Sequence, residues 1–217
     1  MTTTTAADFL PADRDIDSLR SAAASCQGCG LYRHATQTVF GDGPDDAKLL
    51  VVGEQPGDKE DTAGEPFVGP AGSLLGRALT EAGIDRREAY VTNAVKHFKF
   101  VLPERGKRRI HQKPSRTEVV ACRPWLVAEV STLRPDLVLC LGATAAQAVL
   151  GTSFRITRQR GQLLEWDSDE AGEIADPPAV LATTHPASVL RARDEDRKRA
   201  YADLVDDLRV AAQALTG

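Results

Sequence analysis

The chain has 217 residues, of which 42 % are hydrophobic and 27 % charged, and its formal net charge is −4. This length can bury one good-sized core and does not require a second, so we expect a single domain over residues 1–217. No apolar stretch approaches the roughly 18 consecutive residues of a membrane span, and residues 1–5 lack the pattern of a secretion signal. We therefore exclude a membrane protein and expect a cytoplasmic one.

The apolar pattern predicts helices that alternate with strands, after a loosely ordered lead-in over residues 1–12. Helices are predicted at residues 16–26, 72–83 and 194–215. Two more are predicted, one directly after the capping box of Ser115 and Glu118 and one in an Ala-rich segment that ends at 151. Apolar runs bounded by turn residues predict buried strands at 48–53, 89–93, 136–142 and 179–184, with a peripheral strand within 161–166. This order predicts a three-layer α/β/α fold with a central four-stranded, mostly parallel sheet.

Polar side chains follow three of the predicted core strands. Glu54 and His185 stand directly after two of the apolar runs, and Asn93 is the last residue of a third. Functional residues of open α/β sheets collect beyond the carboxyl ends of the strands. We therefore expect these three side chains to belong to one site.

The positive charge is concentrated in one segment. Residues 96–116 contain eight Lys or Arg and one Glu, a local charge of +7, so the rest of the chain carries −11. An acidic body with one basic edge is the arrangement expected of a protein that binds a polyanion such as nucleic acid. The alternative is a solvated basic loop without a partner.

Three motifs carry a family resemblance when they are taken together. They are Gly53-Glu-Gln-Pro-Gly57 with its continuation through 64–72, Asn93-Ala-Val-Lys96, and His185-Pro-Ala-Ser-Val-Leu-Arg191. Their order and their positions at strand ends resemble the iron-sulfur (family 4) uracil-DNA glycosylases over nearly the whole chain. The resemblance implies a uracil-DNA-glycosylase-like fold and a DNA partner that contains uracil, either single-stranded or with its base flipped out of the stack.

The resemblance implies a role for each motif residue. Cleavage of the N-glycosidic bond leaves a cation-like sugar and an anionic base. Glu54 would stabilise the sugar and His185 would donate a hydrogen bond to the uracil oxygen, while Phe67 would stack on the base, Asn93 would read its edge and the Gln55 backbone would close the pocket. The alternatives are a turn carboxylate for Glu54, a structural imidazole for His185, and a phosphate cradle for the Gly-rich loop, although that loop lacks the GxxxxGK[ST] pattern.

The basic loop Lys107-Arg-Arg-Ile-His111 resembles the covalently DNA-linking X type of this family. Ordinary members carry a small residue in place of Gln55 and a shorter loop without the histidine. In the X type, a neutral His111 would replace water as the nucleophile and remain bonded to the sugar, so that the enzyme turns over once. Lys107, Arg108, Arg109 and Ser188 would bind the DNA backbone. The alternative is a DNA-backbone clamp in which His111 has no chemical role.

Four cysteines are present, two of them in a Cys26-x-x-Cys29 pair. A count of cysteines alone suggests a cluster held by these two with Cys122 and Cys140. The family resemblance instead implies Cys26, Cys29, His97 and Cys122 as ligands of a [4Fe-4S] cluster, because a family cysteine corresponds to His97 and a small core residue to Cys140. Three thiolates and one imidazole also suit zinc.

The leading hypothesis is therefore a single-turnover uracil-DNA glycosylase that ends covalently attached to DNA. The alternatives are a multiple-turnover uracil-DNA glycosylase and a non-catalytic module that binds uracil or abasic sites. In each case we expect a monomer without a membrane partner, associated with the nucleoid when bound to DNA.

Overall fold

A computed structural model describes residues 4–103, 108–167, 171 and 174–216. Its strands are β1 (Leu49–Gly53), β2 (Ala89–Asn93), β3 (Phe100–Val101), β4 (Ile110–His111), β5 (Leu137–Leu141), β6 (Leu163–Leu164) and β7 (Ala179–Thr183). Five of them form one sheet in the order β2-β1-β5-β7-β6, and β3 pairs with β4 in a separate hairpin. The first four strands of the sheet are parallel, and β6 is antiparallel to β7.

Helices cover both faces of the sheet. They are α1 (Ile16–Ala23), α2 (Asp58–Ala63), α3 (Pro70–Glu81), α4 (Arg116–Leu133), α5 (Ala143–Leu150), α6 (Ile156–Gln159), α7 (Pro186–Arg191) and α8 (Asp194–Thr216). Short 3-10 helices lie at Ala6–Phe9, Gly30–Arg33 and Arg86–Glu88. No helix of the described residues is long and apolar enough to cross a membrane.

The central strands are buried over their whole length because both of their faces pack against helices. Every residue of β1 and β5 is buried. On one face Val52 belongs to the apolar cluster that contains Trp125 of α4, and on the other face Val51 belongs to the cluster of Leu75 in α3 and Leu208 in α8. Alternate residues of one strand therefore serve two separate cores.

The predicted three-layer α/β/α fold is confirmed. The sheet has five strands rather than the four predicted, because the short edge strand β6 pairs with β7 inside the peripheral segment. The Ser115 capping box also forms, with the Ser115 backbone N–H donating to Glu118 Oε2 over 2.6 Å.

The prediction of a loose lead-in is wrong over the described part of residues 1–12. The side chains of Thr5 and Asp8 cap a 3-10 helix at Ala6–Phe9, and Ala6 is completely buried. Phe9 and Leu10 also pack against the core, so capping and apolar contacts together order this segment. Helix α1 ends at Ala23, three residues before the predicted end.

Candidate active site

A cleft of about 510 Å³ lies at the carboxyl ends of the parallel strands. Its size is in the range of small-molecule and cofactor sites. The cleft brings together the side chains that the sequence placed at separate strand ends and on the basic loop. The predicted site residues that line it are Glu54, Gln55, Phe67, Asn93, His111, His185 and Ser188.

Glu54 is the first residue after β1, and each of its carboxylate oxygens has a different neighbour. Thr144, in the first turn of α5, donates its hydroxyl proton to Oε2 over 2.5 Å. The other oxygen, Oε1, lies 3.4 Å from Nε2 of His111. Because Thr144 holds one oxygen, the second oxygen is directed towards the histidine.

His111 ends the short strand β4, and its side chain is half exposed. The side-chain amide of Gln55 holds the base of this hairpin. Its Nε2 donates to the carbonyls of Lys99 and Gln112, both over 3.1 Å, and its Oε1 accepts from the Lys99 N–H. Gln55 is itself buried. The residue after the candidate catalytic carboxylate thus fixes the backbone that carries the histidine.

Arg109 anchors the same hairpin on its other side. Its guanidinium donates to the carboxylates of Asp58 and Asp61, both over 2.5 Å. It also lies over the rings of Phe98 and Phe100, with its carbon 5.4 and 5.0 Å from the ring centres. Asp61 is completely buried, and its carboxylate also accepts the Thr36 backbone N–H over 3.0 Å. The Arg109 guanidinium is therefore directed at the protein body and paired with carboxylates, whereas a phosphate-binding side chain would be directed outwards.

His185 is the N-cap of α7 and is held in one tautomer. The Ala187 N–H donates to its Nδ1 over 3.1 Å, so the proton of the neutral ring is on Nε2. Burial lowers the pKa of His185 to about 4, with smaller contributions from Arg191 and His111. At neutral pH the ring is consequently uncharged, with an N–H available to the cleft.

Phe67 and Asn93 meet over Gly53. A Cβ at residue 53 would collide with Oδ1 of Asn93 and lie 2.8 Å from Cζ of Phe67, so a larger residue here would displace these two side chains. Phe67 adopts φ 60°, a left-handed conformation that is strained for an aromatic residue by about 1–3 kcal/mol. Its carbonyl is packed directly against Gly72. The strained backbone holds the ring at the cleft beside the Asn93 amide.

Comparisons with known proteins identify the family of the chain. The sequence profile of the uracil DNA glycosylase superfamily matches residues 40–209. A protein named type-4 uracil-DNA glycosylase from Thermotoga maritima is 35 % identical over 175 residues, which are 80 % of this chain and 82 % of the relative. Proteins of the same name from Pyrobaculum aerophilum and Archaeoglobus fulgidus are each 34 % identical, over 82 % and 81 % of this chain and 85 % and 83 % of their own lengths.

The chain belongs to the uracil-DNA glycosylase superfamily. The predicted family resemblance is thereby confirmed, and its three motifs all contribute to the cleft of this superfamily member. Membership of the covalently linking X type stays a prediction.

A buried ion pair lies behind the Asn93 motif of this glycosylase-superfamily chain. Lys96 Nζ donates to Glu129 Oε2 over 2.6 Å and to the Asn93 carbonyl over 2.9 Å, and neither charged side chain is exposed. Thr92 and Tyr90 donate their hydroxyl protons to the same carboxylate. The pair fixes the turn that follows β2 and therefore the backbone of Asn93.

Three of the predicted cluster ligands are neighbours. Burial raises the pKa of Cys122 to about 12, and electrostatic interaction with Cys29 and Cys26 contributes in the same direction. The sulfur of Cys26 accepts an N–H from the Trp125 indole over 3.3 Å, and that of Cys122 accepts the Lys96 backbone N–H over 3.3 Å. Such N–H donors are typical of thiolates that bind iron-sulfur clusters.

The fourth predicted ligand, His97, is buried and hydrogen bonded to Thr38. Its Nε2 lies 2.9 Å from Thr38 Oγ1, and that hydroxyl uses its own proton to reach the Ala23 carbonyl over 2.9 Å. The His97 proton is therefore on Nε2, which leaves a lone pair on Nδ1. Burial lowers the pKa of His97 to about 4, so the ring is neutral. A neutral imidazole with an outer hydrogen bond is typical of metal ligands.

The donor chemistry thus fits a cluster, whereas the side chains are not gathered in coordination geometry. In the described part of the chain, no three His, Cys, Asp or Glu side chains are arranged to hold a metal ion. Cys140 is completely buried in β5, and burial alone raises its pKa, without a contribution from the other cysteines.

The predicted DNA-binding residues differ in their exposure. Arg108 and Ser188 are exposed, and Lys107 lies outside the described residues. Five further polar residues line the cleft and were not identified as site residues in the sequence: Glu60, Lys113, Thr144, Thr184 and Arg191. Glu60 closes the Gly-rich loop, since its carboxylate accepts the N–H groups of Gly57 and Gly69. The contact of Glu60 could have been predicted, because Glu60 stands three residues after Gly57, the N-cap of α2, which is the spacing of a capping box. No local sequence pattern indicates the contact of Thr144.

Proposed function

We propose that the protein is a uracil-DNA glycosylase that is captured on the sugar C1′ by His111. Superfamily membership and relatives named type-4 uracil-DNA glycosylase support the excision activity. The observation that carries the capture is the 3.4 Å approach of His111 Nε2 to Glu54 Oε1 in one cleft. The substrate is uracil in single-stranded DNA, or in a duplex from which the nucleotide is flipped, because a stacked base cannot enter the cleft.

Cleavage of the N-glycosidic bond separates two charges. The C1′–N1 bond breaks, its electron pair leaves with uracil, and the sugar becomes an oxocarbenium ion. The Glu54 carboxylate faces the sugar cation, while the Nε2–H of His185 donates to the uracil oxygen on which negative charge develops. A neutral His185 suits this role because its proton stays on the donor nitrogen throughout.

Uracil recognition uses the two residues that meet over Gly53. The Phe67 ring stacks on the base and the Asn93 amide bonds its edge, with Gln55 forming the adjoining wall. Lys96 supports this arrangement through its hydrogen bond to the Asn93 carbonyl. The strain at Phe67 is a further argument for function, because strained residues cluster at ligand sites.

Capture replaces the attack of water. A ring nitrogen of neutral His111 donates its lone pair to C1′, which forms an N–C1′ bond and an imidazolium ion. The proton on the other ring nitrogen then leaves to Glu54 or water, and the uracil anion takes up one proton. The neutral N-alkyl imidazole is a poor leaving group at neutral pH, so the enzyme turns over once.

The hairpin that carries His111 is pre-organised for this step. Gln55 holds its base and Arg109 ties it to α2, so the imidazole remains beside the carboxylate without DNA. Holding a nucleophile next to the reacting carbon gives it an advantage over diffusing water. Lys107, Arg108 and Ser188 are proposed to bind phosphate, and Arg109 to position the loop.

The same proposal includes a [4Fe-4S] cluster held by Cys26, Cys29, His97 and Cys122. When bound, the cluster supplies a structural cross-link between the N-terminal segment, the turn after Asn93 and helix α4. The Lys96 N–H to the Cys122 sulfur connects that site to the buried ion pair. Iron and sulfide content should fall in His97→Ala and stay near normal in Cys140→Ser; the reverse would favour four cysteines as ligands.

One gel experiment separates the three candidate functions. The protein is mixed with uracil-containing single-stranded DNA, denatured completely and run on a denaturing gel. A shifted band that survives denaturation supports covalent capture, free abasic DNA supports multiple turnover, and unchanged DNA supports a binding module. His111→Ser should remove the shifted band and release abasic DNA, whereas Glu54→Gln should suppress both products. Undiminished adduct in His111→Ser would refute the assignment of the nucleophile.

A further inference from the structure

A second groove adjoins the active-site cleft. It has a volume of about 300 Å³ and shares two lining residues, Lys113 and Thr144, with the cleft. Thr144 is the residue that hydrogen bonds to Glu54, so the groove begins beside the candidate catalytic carboxylate. The groove is therefore a continuation of the site along the protein surface.

Two helices form the walls of this groove with the same spacing. Helix α4 contributes Arg116, Val119, Val120 and Arg123, and helix α5 with its C-terminal glycine contributes Thr144, Gln147, Ala148 and Gly151. Both sets follow the spacing i, i+3, i+4, i+7, which is one face of a helix. The α5 wall comprises eight positions, so the groove is about 12 Å long.

The charge of the groove has one sign. Lys113, Arg116 and Arg123 line it, and no Asp or Glu among the described residues does so. Lys113 and Arg116 are exposed and form no ion pair with a described residue. Arg123 is partly engaged, because its Nε donates to the Ala148 carbonyl over 3.0 Å. The active-site cleft, by contrast, is lined by Glu54 and Glu60.

The groove also has an apolar part. The apolar residues that line it are Pro114, Val119, Val120 and Ala148, and Val120 is 51 % exposed. Exposed cations beside apolar side chains suit a chain that alternates anionic phosphates with deoxyribose and bases. We propose that this groove binds the DNA strand next to the flipped deoxyuridine, with Arg116 and Lys113 contacting consecutive phosphates on one side of it.

This inference rests on the proposed function, because it assumes that deoxyuridine occupies the adjoining cleft. The test uses single-stranded oligonucleotides with a central deoxyuridine, in which one phosphate at a time is replaced by a neutral methylphosphonate. The Kd is measured by fluorescence anisotropy in a Glu54→Gln background, in which the bond is not cleaved. Uracil release by the unaltered protein is measured separately, so a failed glycosylase and a failed groove give different results.

Arg116→Gln should weaken binding roughly five-fold at 0.1 M salt and reduce the slope of log K against log salt by about 0.7, the value for one phosphate contact on a single strand. One methylphosphonate should cause a similar loss in the parent protein and no further loss in Arg116→Gln. Adding Lys113→Gln should remove a second contact. The matched control is Lys48→Gln with Arg134→Gln, which removes two exposed cations from the opposite end of β1 and of α4.

The proposal is overturned by either of two results. One is a loss in Arg116→Gln no larger than in the control. The other is additivity of Arg116→Gln with every methylphosphonate on both sides of deoxyuridine, which would mean that the arginine contacts none of those phosphates.

Discussion

The buried pair of Lys96 and Glu129 provides the sharpest stability prediction. Both side chains are completely buried, and their atoms are 2.6 Å apart. Glu129→Gln keeps the volume and can still accept from Thr92 and Tyr90, but it leaves the Lys96 charge without its counter-ion. Removing one partner of such a pair costs about 3–5 kcal/mol. This is a large part of the roughly 5–15 kcal/mol by which a domain is stable.

The double variant should lose less free energy of unfolding than the sum of the losses in the two single variants. Lys96→Met with Glu129→Gln removes both charges, so no uncompensated ion remains in the core. The remaining loss comes mainly from the Lys96 hydrogen bonds to Thr92 and the Asn93 carbonyl, each worth about 1 kcal/mol. We expect a coupling free energy of at least about 1 kcal/mol between the two sites.

The assay is urea unfolding followed by circular dichroism, with iron content measured in each variant. At a slope of about 2 kcal/mol per molar urea, the midpoint of Glu129→Gln should fall by more than about 1 M. The matched control is Glu118→Gln, whose ion pair with Lys99 is partly exposed and should contribute less. A loss below about 1 kcal/mol in Glu129→Gln, or strictly additive losses in the double variant, would refute the reasoning.

Three further predictions concern the cleft. Thr144→Val removes the hydrogen bond that orients Glu54, and a hydrogen bond to a charged group contributes about 1.5–3 kcal/mol. The variant should therefore slow single-turnover uracil release at least about ten-fold, with little change in the half-saturating DNA concentration. An unchanged rate would contradict this role of Thr144. Gln55→Ala frees the hairpin and should raise the ratio of abasic product to adduct on a denaturing gel, and an unaltered ratio would exclude Gln55 as the support of His111. Burial lowers the pKa of His185 to about 4, so between pH 6.5 and 4.5 the unfolded chain binds a proton at this residue that the folded chain does not. The contribution of His185 to stability should fall by about 2 kcal/mol over this window. Urea unfolding of His185→Gln should lack that part of the pH dependence and keep the part from His97, whose pKa is also lowered to about 4. An identical pH dependence in both proteins would contradict the neutral buried ring.

Much of the fold could be predicted because its signals are local. The runs that became β1 and β5 are apolar throughout, as only strands covered on both faces require. Since the carboxyl ends of parallel strands share one edge, Glu54, Asn93 and His185 could be assigned to a single site before any distance was known. The edge strand β6 is two residues long and lacks such a pattern, which is why its pairing could not be fixed.

The rest of the site depends on contacts between distant segments. Thr144 lies in an Ala-rich helix with no local indication that its hydroxyl meets Glu54. Arg109 is one of three consecutive basic residues, and only the folded chain shows that it faces Asp58 and Asp61 while Arg108 is exposed. Side-chain direction in a basic loop is set by what packs beneath the loop, which the sequence of the loop does not contain.

The most direct test of the central claim is the intact mass of the protein after reaction with a uracil-containing oligonucleotide. Attachment of His111 to C1′ predicts a species equal to the sum of the two masses less one free uracil. Proteolysis should then place the DNA remnant on the peptide that contains His111. A protein of unchanged mass beside abasic DNA, or a remnant on any other residue, would contradict the account.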